Sequence, residues 1–543
     1  MVAKAATANP PSTSQSTGPF SIRDAHGNLD HHRAPLLEAI SSYQQRNMLP
    51  FSTPGHKLGT GLDPELVALY GARTFLADIP VSGGADSIHF NWETWRLAEE
   101  LGADAWGADR TFYLVNGSST GNLATLLATI KPDDEVIVAR DVHKSLLVAL
   151  IHSGARPIYV APRLHPELNI GIGIQPADIA AALARHPEAR MVIVVSPSYC
   201  GVSSDLPAIA RIAHERGVPL YVDEAWGPHF HFHPDLPPSA MSSGADAAVA
   251  STHKVLGAFT QSAVLHVQGA RIDANRVSAA VGLSQTTSPA AFILATIDAC
   301  RRQMVLYGED LLSRTIDLAT QARTRLRNIP GIGVLDGDSL GISDYDLTKL
   351  VIDVHGLGLT GFQVETMLRE DFQINPESSD TSGVICLITI GDTQESISRL
   401  VDAFEAMSGT YGRVSSSNGH AGTALRSSGA VIAPGIQAMS PREAFFARSR
   451  AIPLRESIGE ISAELVIPYP PGIPVFTPGD VITAEKLDYL IAGSQQGMYI
   501  SGAADHYLET ISVVDVPQSP WMPRPFYPSS HQSASTGPTD DAS

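Results

Sequence analysis

Cysteine is nearly absent from this 543-residue chain, which carries three: Cys200, Cys300 and Cys386. They are odd in number and widely separated, so no disulfide framework and no zinc-ligand spacing can be read, and a reducing cytoplasm is the simplest setting. Long apolar runs are missing as well. No stretch approaches the roughly 20 apolar residues of a membrane-spanning helix. The opening MVAKAATANPPSTSQSTGPF has no apolar segment of the kind a signal peptide needs. Positive charge is scarce: 37 Lys and Arg face 56 Asp and Glu, a formal net charge of -19. That balance argues against nucleic acid as a partner, because phosphate backbones require a basic surface. It is compatible with a cationic substrate.

What is present is a fairly apolar chain, 43% hydrophobic and 17% charged, too long for one ordinary core. Residues 1–45 open as a Pro/Ser/Thr-rich tail and end in the helical pattern APLLEAISSYQQR. Residues 46–305 form a large domain in which the apolar runs TFYLV, EVIVA, PIYVA, MVIVVS, LYVDEA, AAVAS and AVLHV read as strands. Helical stretches separate many of them. Leu123, Leu126, Leu127 and Ile130 fall on one face of one such helix, and Leu206, Ile209, Ile212 and Ala213 on one face of another, with Asp205 as its N-cap and Gly217 as its stop. This alternation predicts an α/β fold with a mostly parallel central sheet. A long helix is expected over about 290–328, and residues 306–408 read as a smaller α/β domain. Residues 409–432 are Gly/Ser-rich and read as a flexible linker. Residues 433–520 form a C-terminal domain, and 521–543 read as a disordered tail.

Several stretches carry groups able to do chemistry. NGSSTGN, Asn116 to Asn122, follows a strand and opens a helix. Its backbone N–H groups and helix end suit an anion, best a phosphate, although an ordinary N-capped turn would look the same. It lacks both nucleotide-loop spacings, G-x-G-x-x-G and G-K-S/T. Asp223, in LYVDEAWGPH, ends an apolar strand, where open α/β sheets bind ligands. It could hold a cationic group or cap a turn. His143, in DVHKS, also follows a strand and could be catalytic or merely hydrogen-bonded. His229, His231 and His233 alternate in HFHFH and would share one face of a strand. Packing is the preferred reading there, and no metal is expected, since no further ligand set accompanies them.

Lys254 stands alone in ASTHKVLGAFTQSA, the one permanently charged residue between Asp246 and Arg271. An isolated lysine can snorkel to solvent. It can also be buried so as to lose its proton and react with a carbonyl. Together with a phosphate loop, a carboxylate for a pyridinium nitrogen and an imidazole able to stack, the second reading meets the needs of pyridoxal phosphate.

At these residues the chain resembles the bacterial Orn/Lys/Arg decarboxylase family, pyridoxal-phosphate enzymes of transferase fold type I. PFSTPGHKLG, NGSSTGN, DVHKS, VDEAWGPH, STHKVLGAFTQSA, QTTSP and AELVIPYPPGIPVFTPGD resemble that family's successive signatures, spanning about residues 49–480. The resemblance implies that Lys254 carries the cofactor as a Schiff base. Asp223 would pair with the pyridine nitrogen, His143 would stack on one ring face, and Ala225 would lie against the other with Trp226 beside it. Ser118, Ser119, Thr120, Ser251 and His253 would hold the phosphate region, completed by Thr287 of a partner subunit. His253 is also a candidate proton donor once carbon dioxide has left. Only about 45 residues precede NMLPFSTPGHK, so the chain resembles the short branch that lacks an N-terminal receiver-like domain. A homodimer or higher homo-oligomer with shared sites is implied. The short branch often has His where Trp226 stands, which leaves lysine, arginine and ornithine open as substrates.

The expected activity is decarboxylation of a basic amino acid. Transamination or aldol cleavage on the same fold is the alternative, because fold does not fix reaction. A catalytically dead scaffold and a nucleotide-binding module are further alternatives. The intact Lys254 and Asp223 speak against the first, and the absent nucleotide spacings against the second.

Overall fold

The seven apolar runs of the large domain pair into one sheet. The computed structural model describes residues 21–81, 93–165, 171–412, 435–469, 473–495 and 497–515. Its strands are β1 (Arg110–Leu114), β2 (Glu135–Ala139), β3 (Arg156–Val160), β4 (Val192–Val195), β5 (Leu220–Asp223), β6 (Ala247–Ala250) and β7 (Ala263–Val267), in spatial order β1-β7-β6-β5-β4-β2-β3. Strands β3, β2, β4, β5 and β6 are parallel, and β7 runs antiparallel to both β6 and β1. Strand β1 therefore points the same way as β2, β5 and β6. The segments that follow these four strands all emerge at one edge of the sheet, where open α/β folds build their sites.

Side-chain alternation divides the core between the two faces of the sheet. Along β1, Phe112 and Leu114 join the larger apolar cluster with Val136, Ile193 and Leu265, whereas Tyr113 joins a second cluster with Trp106, Phe230 and Ile297. The helix Leu206–His214 buries Leu206, Ile209 and Ala213; Asp205 accepts from the Ala208 N–H as its N-cap, and Gly217 has φ +69°. The helix Gly117–Thr129 departs from its expected stripe. Leu127 is 38% exposed, and the buried face is Thr120, Gly121, Asn122, Ala124, Thr125, Leu126 and Ala128. The reason is proximity. A Cβ on Gly121 would come within 2.5 Å of Val249 Cγ2, so only small residues let this helix lie so close to β6.

The expected long helix spans Ala291–Arg327 without a break. The boundary read at 305/306 falls inside it: Leu294 to Leu312 pack with the large domain, and Leu318 to Leu326 pack in the next cluster. That cluster surrounds a four-stranded sheet of β8 (Gly333–Leu335), β9 (Lys349–Asp353), β10 (Ser378–Ser379) and β11 (Gly383–Leu387), in order β10-β11-β9-β8. The smaller unit is α/β in content, but all its strand pairs are antiparallel.

In the C-terminal part, β12 (Ser449–Pro453) pairs with β15 (Thr510–Val514), and β13 (Ile467–Tyr469) pairs with β14 (Tyr499–Ser501). This part is tied to the large sheet through Arg140, just beyond β2. Its fully buried guanidinium donates to the carbonyls of Pro474, at 2.8 Å, and Val475, at 3.1 Å, and lies 3.6 Å from Asp480. The linker expected over 409–432 begins inside the helix Gln394–Tyr411, and its residues 413–432 lie outside the described residues, as do residues 1–20, residues 516–543 and the PPG of PYPPG. Among the described residues, no helix is long and apolar enough to cross a membrane.

Candidate active site

The carboxyl ends of five strands, β1, β2, β4, β5 and β6, converge on a cavity of about 310 Å³. Beyond β1, Asn116 precedes the helix Gly117–Thr129, and no side chain caps its first N–H groups. Gly117 takes φ +71° and donates its N–H to the Gln261 carbonyl at 2.8 Å. The uncapped donors, the positive helix end and the side chains of Ser118 and Ser119 meet at one end of the cavity, an arrangement suited to phosphate. Ser251 lies on the same wall. Its Oγ is fully buried without a hydrogen-bond partner among the described residues, which a buried hydroxyl seldom tolerates unless a ligand satisfies it.

Asp223 ends β5 and is buried against the cavity. Its Oδ1 accepts from the Ala225 N–H at 3.1 Å, and its Oδ2 accepts from Asn122 Nδ2 at 3.0 Å. Asn122 is itself fixed. Its Oδ1 accepts from Tyr221 Oη at 2.7 Å, and its Nδ2 also donates to Ser145 Oγ at 2.9 Å. Ser145 Oγ is 2.8 Å from His143 Nδ1, which also accepts from the Ser145 N–H at 3.3 Å. One hydrogen-bonded chain thus orients both the carboxylate and the imidazole. Burial pulls His143 down to about 4, against the opposing pull of Asp223, so the ring is neutral at physiological pH.

Lys254 sits in the short helix Thr252–Val255 beyond β6, with its Nζ 3.8 Å from the centroid of the Trp226 indole. Burial lowers its pKa, while Asp223 and Glu377 oppose the shift. The residue therefore does not snorkel; its amine is held inside. His253 places Nδ1 2.8 Å from the Ser262 carbonyl. A carbonyl only accepts, so Nδ1 carries the proton and the neutral ring keeps Nε2 free of one. Burial also lowers the His253 pKa.

A second cavity, of about 710 Å³, shares His143, Tyr199, Trp226 and Lys254 with the first. Its other walls come from the helix Gly361–Glu370, from Glu377 and Ser378, and from Gly497 and Tyr499. Two carboxylates face it. Glu365 is engaged by Arg369 at 2.7 Å and by the Ser379 hydroxyl. Glu377 is raised by burial, and Lys349 and Lys254 pull it back.

The structure thus gathers Ser118, Ser119, His143, Asp223, Ala225, Trp226, Ser251, His253 and Lys254 around one cavity. Thr120 stands apart: its hydroxyl donates to the Asn116 carbonyl at 3.4 Å, inside the helix, and it does not line the cavity. Thr287 is exposed and away from the cavity of its own chain. The HFHFH histidines share no strand face, because Phe230–Phe232 is a 3-10 turn. His229 lies 3.2 Å from Asp346 and His233 lies 2.9 Å from Ser313 Oγ, while His231 packs under Gly107. Tyr199, Asp141, Glu365, Glu377 and Lys349 were not singled out from the sequence. Lys349 leads an apolar run but is flanked by Asp346 and Asp353, so it lacks the uncharged surroundings that mark Lys254. Asp141 is the first residue of the DVHKS stretch itself, whereas Tyr199, Glu365 and Glu377 follow no local pattern.

Comparison with known proteins agrees with this geometry. The sequence profile described as "Orn/Lys/Arg decarboxylase, major domain" matches residues 34–344, and that of the same family's C-terminal domain matches residues 430–502. The arginine decarboxylase of Bacillus subtilis is 38% identical over 491 residues, 90% of this chain and 99% of that protein. That of Halalkalibacterium halodurans is 37% identical over 487 residues, 89% of this chain and 98% of that protein. Among solved structures, the Francisella novicida lysine decarboxylase LdcF superposes with a TM-score of 0.77 at 24% identity, covering 89% of this chain and 81% of that one. At that identity the likeness establishes the fold, which is the type I fold of pyridoxal-phosphate enzymes.

Proposed function

Because the chain belongs to the Orn/Lys/Arg decarboxylase family, we propose that it removes the α-carboxylate of a basic amino acid as carbon dioxide, with pyridoxal phosphate in the smaller of the two joined cavities. The observation that carries this reading is the junction itself. Lys254 and Trp226 stand where a cavity with an anion end and a buried carboxylate opens into a wider one walled by Glu365 and Glu377.

When bound, pyridoxal phosphate supplies an electron sink for the bonding pair left by departing carbon dioxide. The first turn of the helix Gly117–Thr129, with Ser118, Ser119 and Ser251, would hold the phosphate. Asp223 would hold a proton at the pyridine nitrogen, and its two fixed hydrogen bonds set the carboxylate for that contact. Neutral His143 would face the ring without adding a competing charge. Burial favours the neutral form of the Lys254 amine, and Ala225 would lie against the cofactor ring. Glu377 draws the distal cation of the substrate into the wider cavity. His253 returns a proton to Cα. Its neutral form presents an unprotonated Nε2, so it must first take up a proton, which its lowered pKa lets it release readily.

Arginine is the first substrate to test, since the Bacillus subtilis and Halalkalibacterium halodurans relatives carry the name arginine decarboxylase. The purified protein should release carbon dioxide and the matching amine from arginine, lysine or ornithine. Keto-acid formation in place of carbon dioxide would assign transamination instead. A cytoplasmic setting is in keeping with three buried free thiols.

The site is completed by a second copy of the chain. Thr287 is exposed here and is the residue proposed to reach the partner's phosphate end. Mixing Lys254→Ala subunits with Thr287→Ala subunits places both changes in one site of a heterodimer and neither in the other. Activity should then rise above that of either parent. No recovery under conditions shown to exchange subunits would mean that each site is self-contained.

A further inference from the structure

Lys349, the first residue of β9, is fully buried, yet its Nζ has no hydrogen-bond partner among the described residues. It does not line either cavity of the active site. Its stem crosses Gly201, where an added Cβ would come within 2.8 Å of Lys349 Cγ, and its Nζ ends 4.0 Å from the centroid of the Trp226 indole. Lys254 Nζ lies 3.8 Å from that same centroid. The two ammonium positions are therefore no more than about 8 Å apart, with an aromatic ring and no solvent around Lys349. A buried cation left without a hydrogen bond is costly, and such a group calls for a use.

We propose that Lys349 is a positioning residue for Lys254: the second sheet inserts a cation against the Trp226 indole, and this cation disfavours a second positive charge on the Lys254 nitrogen. The proposal rests on the reading that Lys254 holds the cofactor. Lys349 has its own counter-charge in Asp346. Burial lowers Lys349 to about 8, while Asp346 and Glu377 work to raise it and Lys254 to lower it further; Cys200 also faces it. Asp346 is held ionised, down at about 2 despite its burial, by His229, Lys349 and the Thr348 hydroxyl. It therefore supplies a permanent counter-charge on the Lys349 side. The groups facing Lys254 are Asp223, Glu377, His143, His253 and the Trp226 ring. Asp223 is committed to the cofactor nitrogen in the proposed complex, so it offers Lys254 little compensation. A like charge close to a desolvated amine is a known route to a reactive lysine.

The test is a pH titration of the bound cofactor's near-visible absorption in the holoenzyme, which reports the proton on the Lys254 nitrogen. In Lys349→Met, the midpoint should rise by about one pH unit. Lys349→Arg, which keeps the charge, should stay near wild type. Lys349→Gln serves if the methionine variant does not fold. A merely structural role would lower thermal stability in the neutral variants and leave the midpoint in place, and that result would overturn the proposal. A wild-type protein with no cofactor band would overturn the underlying reading as well.

Discussion

Lys254→Ala is expected to lower turnover by on the order of 10⁴-fold or more, the scale seen when an essential nucleophile is removed. It should also erase the near-visible band of the bound cofactor. The fold should survive. Lys254 sits in a short helix and makes its one described aromatic contact with Trp226, so the methyl group of alanine removes a chain that points into a cavity rather than one that fills the core. Borohydride reduction of the wild-type holoenzyme followed by peptide mapping should find the label on Lys254. A label on another lysine, such as Lys144 or Lys349, would overturn the assignment.

Asp223→Asn is expected to cost about 10²–10³-fold in kcat, or about 3–4 kcal/mol, as for loss of a preorganised electrostatic group. A neutral amide cannot hold the pyridinium proton. The substitution also disturbs its own support, because both carboxylate oxygens are acceptors here: Oδ1 from the Ala225 N–H and Oδ2 from Asn122 Nδ2. An amide keeps one acceptor and presents a donor to the other partner. Asn122 cannot simply flip to accommodate it, since Tyr221 donates to its Oδ1 and its Nδ2 donates to Ser145. The phosphate end is built from other elements, so cofactor should still bind. Steady-state kinetics together with cofactor occupancy checks this, and near-normal kcat would reduce Asp223 to a turn cap.

Much of the site was legible because each part is local. A strand end followed by a Gly/Ser-rich helix start predicts an anion site wherever it sits, since the uncapped N–H groups belong to that helix alone. A carboxylate at the end of β5 and a lysine beyond β6 are likewise set by short stretches of chain. The apolar runs alone determined all seven strands of the large sheet, and their alternation with helices determined its mostly parallel character. The same reading failed for the helix Gly117–Thr129. Periodicity predicts which residues are apolar, whereas Val249 decided which ones can fit.

The amino-acid sequence by itself therefore determined the strands of the large sheet, the candidate lysine Lys254 and the family resemblance. The tertiary structure alone decided what surrounds that lysine. Lys349 and Glu377 come from a second sheet more than ninety residues further on, and they meet Lys254 only because that sheet docks beside the Trp226 loop. Asn122 likewise joins Asp223, Tyr221 and Ser145 across three separate elements. Local patterns record the backbone conformation a stretch prefers. Electrostatic neighbours and hydrogen-bond partners depend on distance in space, and distance is settled only when the elements pack.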